Sequence, residues 1–175
     1  NFTSANGTGT GGIDWDCDVP ANASALHEDA DGTLWVGTEE GRLYKRSGRH
    51  FEQVQPDLGG AVRALRRDRD GSLWIATSGA GLFRLIGTNL ASLNSTATPS
   101  NDVRALFEDV EGSLWVGSYG GGLLRLRDGK FTPYGLAEGL RGNLAWTTAP
   151  GRRGDAWVGT NAGISHFVDG RFEYL

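Results

Sequence analysis

The 175-residue chain contains no methionine, a single cysteine at Cys17, only five prolines and only three histidines. A lone cysteine excludes an intrachain disulfide and any cysteine-based metal site. It fits a reducing compartment, or an exported bacterial protein without structural disulfides. His27, His50 and His166 stand at inequivalent places, and no H-E-x-x-H, G-x-S-x-G or Cys–His set accompanies them. No catalytic residue, metal site or cofactor is therefore expected. Apolar runs never approach the roughly 20 residues that span a bilayer. With neither an initiator methionine nor a signal peptide, the chain reads as cut from something longer, which would supply any membrane segment. Basic clusters are scarce too. Seventeen Lys and Arg against 21 Asp and Glu leave a net charge of −4, which argues against a nucleic-acid surface. The run Arg63, Arg66, Arg67, Arg69 is interleaved with Asp68 and Asp70 and reads as a solvated strand edge.

Glycine and tryptophan are plentiful, with 28 and six copies. "EDADGTLWVGTEEGRL", from Glu28, returns as "RDRDGSLWIATSGAGL" at Arg67 and "EDVEGSLWVGSYGGGL" at Glu108, and in altered form as "PGRRGDAWVGTNAGI" at Pro150. Trp35, Trp74, Trp115 and Trp157 are spaced by 39, 41 and 42 residues. A period near 40 with short strands and Gly-rich turns is the mark of propeller blades. Helical solenoids of that period would need longer apolar runs at three- and four-residue steps.

Each unit divides into four strands. "ALHED", "RALRRD" and "RALFED" form inner strands, and the Asp-Gly turns "DADG", "DRDG" and "VEG" lead into "TLWVGT", "SLWIAT" and "SLWVGS". Third strands follow a glycine-rich turn. "HFEQV", "KFTPY" and "RFEYL" close three units, two of them entered through Asp128-Gly129 and Asp169-Gly170. The expected fold is an all-β propeller with four blades of four antiparallel strands, over residues 21–60, 61–100, 101–142 and 143–175. Residues 1–20 form a linker or a remnant outer strand. Their G-x-G-x-x-G at Gly7, Gly9 and Gly12 lacks the following helix a dinucleotide site requires. The four tryptophans are scaffold, each filling the wedge between adjacent blades. Asp29, Asp68 and Asp109 are read as turn caps, because the spaced oxygen donors of a calcium loop are missing.

"NDVRALFEDVEGSLWVGSYGGGLLRL", from Asn101 to Leu126, resembles the two-component regulator propeller repeat, N-x-V-x-x-I-x-x-D-x-x-G-x-L-W-I-G-T-x-x-G-L. "GGAVRALRRDRDGSLWIATSGAGLFRL", ending at Leu85, matches with Ala76 in place of a glycine. The fourth copy departs most, with Gly151 where the Asp belongs. The resemblance implies the sensor portion of a bacterial signalling protein, periplasmic or extracellular, and several members of that family sense polysaccharide fragments. Family members are usually seven-bladed. Four units therefore suggest a section of a larger ring, two chains pairing as a homo-oligomer into an eight-bladed ring, or a closed four-bladed ring.

Where four copies of a scaffold agree, they describe the scaffold; a ligand site should lie where they differ. Equivalent positions at the start of the inner strands hold Ser24, Arg63, Arg104 and Trp146. These should point to the axial mouth, where two guanidiniums and an indole suit a carboxylate-bearing or saccharide ligand. Asn22, Asn101 and Asn143, with Glu39, Tyr119 and Asn161 in the second turns, are candidate additions. The bland alternative has Arg63 and Arg104 paired with nearby acids in a solvated funnel. Streptogramin-lyase-like enzymes, which carry a comparable repeat, are the catalytic alternative. A pure protein-interaction scaffold is the third.

Overall fold

A computed structural model describes residues 20–93, 100–152 and 154–174. Cys17 and the glycine motif at Gly7–Gly12 lie outside the described residues. Every regular element is a strand. Blade 1 is β1 (Ala23–Glu28), β2 (Leu34–Thr38), β3 (Leu43–Ser47) and β4 (His50–Val54), and blade 2 is β5 (Ala61–Arg67), β6 (Leu73–Ser78), β7 (Gly81–Ile86) and β8 (Asn89–Ser92). Blade 3 holds β9 (Val103–Glu108), β10 (Leu114–Ser118), β11 (Gly122–Arg127) and β12 (Lys130–Tyr134). Blade 4 holds β13 (Ala145–Pro150), β14 (Ala156–Thr160), β15 (Gly163–Val168) and β16 (Arg171–Tyr174). Each blade is one antiparallel sheet in simple meander order.

The Asp-Gly turn explains how β1 becomes β2. Gly32 N–H donates to the Asp29 carbonyl at 2.9 Å, Asp29 N–H donates to the Thr33 carbonyl at 2.9 Å, and Gly32 takes φ 83°. Blades 2 and 3 repeat the pattern at Asp68 and Asp109. Their carboxylates do more than cap. One oxygen accepts a turn amide, Ser72 N–H at 2.8 Å or Ser113 N–H at 2.8 Å. The other accepts the indole N–H of the same blade's tryptophan, Trp74 to Asp68 at 2.7 Å and Trp115 to Asp109 at 2.8 Å. In blade 1, Trp35 reaches Asp29 at 2.8 Å, while the second Asp29 oxygen takes Arg67 of blade 2 at 2.6 Å. A cation stands opposite each of these indoles on the third strand: Lys45, Arg84 and Arg125, at 5.8, 5.1 and 5.0 Å from the ring centroid.

Blade 4 lacks the carboxylate, having Gly151, and its cross-strand residue is His166. That ring lies 3.8 Å from Trp157 with an interplanar angle of 7°.

Three apolar clusters fill the three junctions between consecutive blades. Trp35 and Leu43 of blade 1 meet Val62, Leu65, Leu73 and Ile75 of blade 2. Trp74 and Leu82 meet Val103, Leu114 and Val116. Trp115, Phe107 and Leu123 meet Ala145, Ala156, Val158 and Phe167. The tryptophan side of each blade thus packs on the opposite side of the next. Trp157 is the exception: among the described residues no blade packs over it, and it stays half-buried. Inner strands β1, β5, β9 and β13 pack in succession, but β13 does not pack against β1 among the described residues. A closed four-bladed ring is therefore not the arrangement seen.

The arginine run also differs from the expected solvated edge. Arg67 pairs with Asp29 across one junction, and Arg69 reaches Glu108 Oε1 at 2.8 Å and the Asp109 carbonyl at 2.9 Å across the next. Arg67 closes β5 and reaches back to blade 1, whereas Arg69 lies in the following turn and, half-exposed, reaches forward to blade 3.

Candidate functional site at the axial mouth

In every blade the inner strand carries a β-bulge near its start. The register skips from Ala23 to Ala25, from Val62 to Ala64, from Val103 to Ala105 and from Ala145 to Thr147. The bulged residues are Ser24, Arg63, Arg104 and Trp146. A bulge leaves one residue unpaired and re-aims its side chain. The scaffold therefore presents one free position per blade at the mouth, and the four copies fill it differently.

Arg63, Arg104 and Trp146 meet, together with Tyr119, around a cleft of about 480 Å³. Trp146 is 56% exposed and Tyr119 46% exposed, so both rings remain partly open beside the cleft. Tyr119 belongs to the β10–β11 turn, where an isolated bridge to Leu144 ties it to blade 4. The Arg104 guanidinium lies 5.6 Å from the Tyr119 ring centroid. Both arginines have acidic partners: Arg63 Nη1 donates to Glu39 Oε1 at 2.8 Å, and Arg104 Nη2 to Asp102 Oδ2 at 2.7 Å. The hydrogen bond to Asp102 raises the Arg104 pKa above its ordinary value and outweighs burial. Even so, Arg63 Nε, Arg104 Nε and Asp102 Oδ1 are buried without a hydrogen-bond partner. A guanidinium offers five N–H donors. Each acid fixes one arm of its arginine and leaves donors unused.

Six expected residues do not line the cleft: Glu39, which pairs with Arg63, and Ser24, Asn22, Asn101, Asn143 and Asn161. Ser24 donates to the Val62 carbonyl at 2.7 Å, so it ties β1 to β5. A short hydroxyl cannot reach where an arginine can. Asn101 and Asn143 act through their backbones, accepting the turn amides of Gly79 and Gly81, and of Gly120 and Gly122, from the preceding blade. Asn161 uses Oδ1 to accept Leu144 N–H at 3.4 Å. Asn22 is paired with Glu40. Asp102 went unrecognised in the sequence, because its pairing with Arg104 follows from the bulge, which the structure alone shows.

A second cleft, about 520 Å³, opens at the outer edge of the blade 1–blade 2 junction beside Trp35, Lys45, Glu52 and Arg67. Packing accounts for it. Val54, Leu85 and Leu90 occupy the positions where the blade 3–blade 4 junction has Tyr134, Phe167 and Phe172. The smaller side chains leave the wedge unfilled.

Blades around an axis, with variable side chains re-aimed at one end, define a β-propeller. The family described as two component regulator propeller matches residues 19–40, 57–79 and 98–120. The three matched stretches fall in blades 1, 2 and 3. No curated protein matches the chain by sequence. Among solved structures, the extracellular domain assigned to the hybrid two component system BT3049 of B. thetaiotaomicron is similar. It has 24% identity and a TM-score of 0.68 over 86% of this chain and 22% of that one. Virginiamycin B lyase from Staphylococcus aureus is similar at 16% identity and a TM-score of 0.72, over 90% of this chain and 57% of that one. The computationally designed protein Ika4 is similar at 11% identity and a TM-score of 0.67, over 89% of this chain and 97% of that one. These likenesses show a shared fold. The chain spans 22% of the BT3049 domain and little more than half of the lyase.

Proposed function

We propose that the chain is a non-catalytic, ligand-sensing propeller segment of an extracytoplasmic bacterial signalling receptor, whose membrane attachment and output belong to a parent protein. The ligand is a small saccharide or acidic metabolite that presents a carboxylate to Arg63 and Arg104 and a ring face to Trp146 and Tyr119. The single observation that carries this reading is the shared bulge. It directs three of the four variable side chains to one cleft, with unused guanidinium donors beside exposed aromatic rings. Bidentate hydrogen bonding and stacking are the interactions those groups make best. The family of the repeats, and the extracellular similar domain, support the sensor class and the location.

The lyase reading is weaker because none of the described histidines lines the cleft. His27 sits beside Asp29 and Arg67 at the opposite end of β1, His50 begins an outer strand, and His166 stacks on Trp157. General acid–base chemistry needs such a group within hydrogen-bond reach of its substrate.

A thermal-shift panel tests the reading. Glucuronate and galacturonate oligosaccharides, their neutral counterparts and simple dicarboxylic acids are added to the wild type and to the Arg104→Ala, Trp146→Ala variant. At least one carboxylate-bearing compound should raise the wild-type Tm and leave the variant unmoved. A panel without any response, or equal responses from both proteins, would sink it.

A further inference from the structure

The wedge between blades 1 and 2 departs from the other two junctions in three ways at one place. At the blade 3–blade 4 junction the chain closes the wedge with its own rings. Tyr134, Phe167 and Phe172 lie 4.9 to 5.8 Å from one another by ring centroid, and Tyr134 and Phe167 stand 6.0 and 5.0 Å from Trp115. The blade 2–blade 3 junction keeps one ring there, Phe131. Between blades 1 and 2 the same positions carry only Val54, Leu85 and Leu90, and the cleft of about 520 Å³ opens beside Trp35.

Charge differs at the same place. The residue that closes the inner strand of the following blade is Arg67 here, but Glu108 and Pro150 at the other junctions. Opposite the indole, Arg84 and Arg125 are held by serines, donating to Ser72 Oγ at 3.0 Å and Ser113 Oγ at 2.9 Å. Their counterpart Lys45 is exposed, and its ammonium has no hydrogen bond or ion pair among the described residues. Lys45 and Arg67 lie over one ring, 5.8 and 5.5 Å from the Trp35 centroid. Asp29 neutralises Arg67, and Asp31 accepts the Thr33 amide. Glu52 stands across from Lys45 on the exposed outer strand without pairing to it. The cleft thus joins an apolar wall, vacant where its counterpart holds rings, to an ammonium without a counter-ion.

We propose that this wedge is a second ligand site, which takes a small aromatic acid. The ring enters beside Val54 and Leu85, and the carboxylate pairs with Lys45 at the rim. Burying a ring recovers apolar area that the missing phenyl groups leave exposed, and an ammonium–carboxylate contact is among the stronger hydrogen bonds. A saccharide would press hydroxyls on the methyl groups of Val54 and Leu85, where they find no partner. The volume lies in the range of small-molecule sites, about 300–1,000 Å³. Arg67 marks the end of β5 and Arg63, at the mouth, stands near its start, so the two sites are separate and neither reading rests on the other.

Isothermal titration calorimetry with benzoate, phenylacetate, hydrocinnamate and indoleacetate, each beside its neutral amide, tests the site. At least one acid should bind the wild type, and its amide should bind more weakly by about tenfold, as loss of one charge-assisted contact implies. Lys45→Gln should bring the acid down to the affinity of the amide. Val54→Tyr combined with Leu85→Phe rebuilds the rings of the blade 3–blade 4 junction and should abolish binding of both, with the far-ultraviolet circular dichroism of the wild type retained. The Arg104→Ala, Trp146→Ala variant should bind as the wild type does. A panel in which no acid binds overturns the proposal, as does equal binding of acid and amide, or binding that survives the ring-restoring pair. Binding lost in the mouth variant overturns it by placing the acid at the axis. Should the ring-restoring pair fail to fold, Lys45→Gln decides alone, and an unchanged preference for the acid in that variant overturns the proposal.

Discussion

Trp115 donates its indole N–H to Asp109 Oδ2 across 2.8 Å, with both side chains buried, and the other Asp109 oxygen holds the Glu111 and Ser113 amides of the turn. One carboxylate thus joins the turn to the wedge residue six positions later. Asp109→Ala strips a buried indole and two turn amides of their acceptor. The loss should be about 3 kcal/mol, in line with hydrogen bonds to a charged group, read as a fall in unfolding free energy in urea.

Burial should rank the tryptophans. Trp115 is sealed between blades 3 and 4, where Phe107 and Phe167 lie 6.0 and 5.0 Å from its ring centroid. Trp115→Ala should cost on the order of 3–5 kcal/mol. Trp157→Ala, at a half-buried site, should cost less than half of that. Equal losses would mean that Trp157 is as enclosed as its counterparts.

Close approach near the axis makes a third prediction. A Cβ on Gly37 would stand 2.3 Å from Val62 Cγ1, whereas one on Gly117 would stand 3.2 Å from Thr148 Cγ2. Blade 2 already has Ala76 at this position. Gly37→Ala should destabilise by about 1–3 kcal/mol through overpacking, and Gly117→Ala by clearly less, as measured by thermal unfolding.

Two side chains at the blade 1–blade 2 junction tie stability to pH. Burial lowers the His27 pKa below 6.5, with Asp29 opposing and Arg66 and Arg67 adding to the shift. The unfolded chain then binds the proton more tightly, so stability falls as pH drops below about 6.5. For Asp29, burial pushes the pKa up, but hydrogen bonds from Arg67 and Trp35 outweigh it and hold the value below 3.8. Its contribution is present above that pH and is lost as pH falls through the lower folded value. Urea midpoints at pH 7.0, 5.5 and 3.5 should decline in two stages, and His27→Gln should flatten the first.

Much of the fold was legible because the repeat is periodic. The tryptophan spacing placed the blades, and Asp128-Gly129 and Asp169-Gly170 announced tight turns, where all four residues take positive φ. The Asp–Trp bond was hidden by its own regularity, since a carboxylate that caps a turn looks the same in sequence whether or not an indole reaches it. At the mouth, alignment of the copies singled out Arg63, Arg104 and Trp146, but not the bulge that unites them. Backbone register has no residue signature there: serine, arginine and tryptophan all occupy it. That Ser24 and the asparagines stand apart from the cleft was hidden for a related reason. Sequence shows a polar side chain, while the structure shows that Asn101 and Asn143 contribute carbonyls.

The claim that function resides at the mouth is tested most directly by tryptophan fluorescence, using the uronate oligosaccharides of the thermal-shift panel as titrants. Trp146 lies in the cleft, and Trp157 lies at the far edge of blade 4. A saturable change in emission should appear in the wild type and in Trp157→Phe, and should vanish in Trp146→Phe. Emission that still responds in Trp146→Phe, or no response from any titrant, would contradict the account.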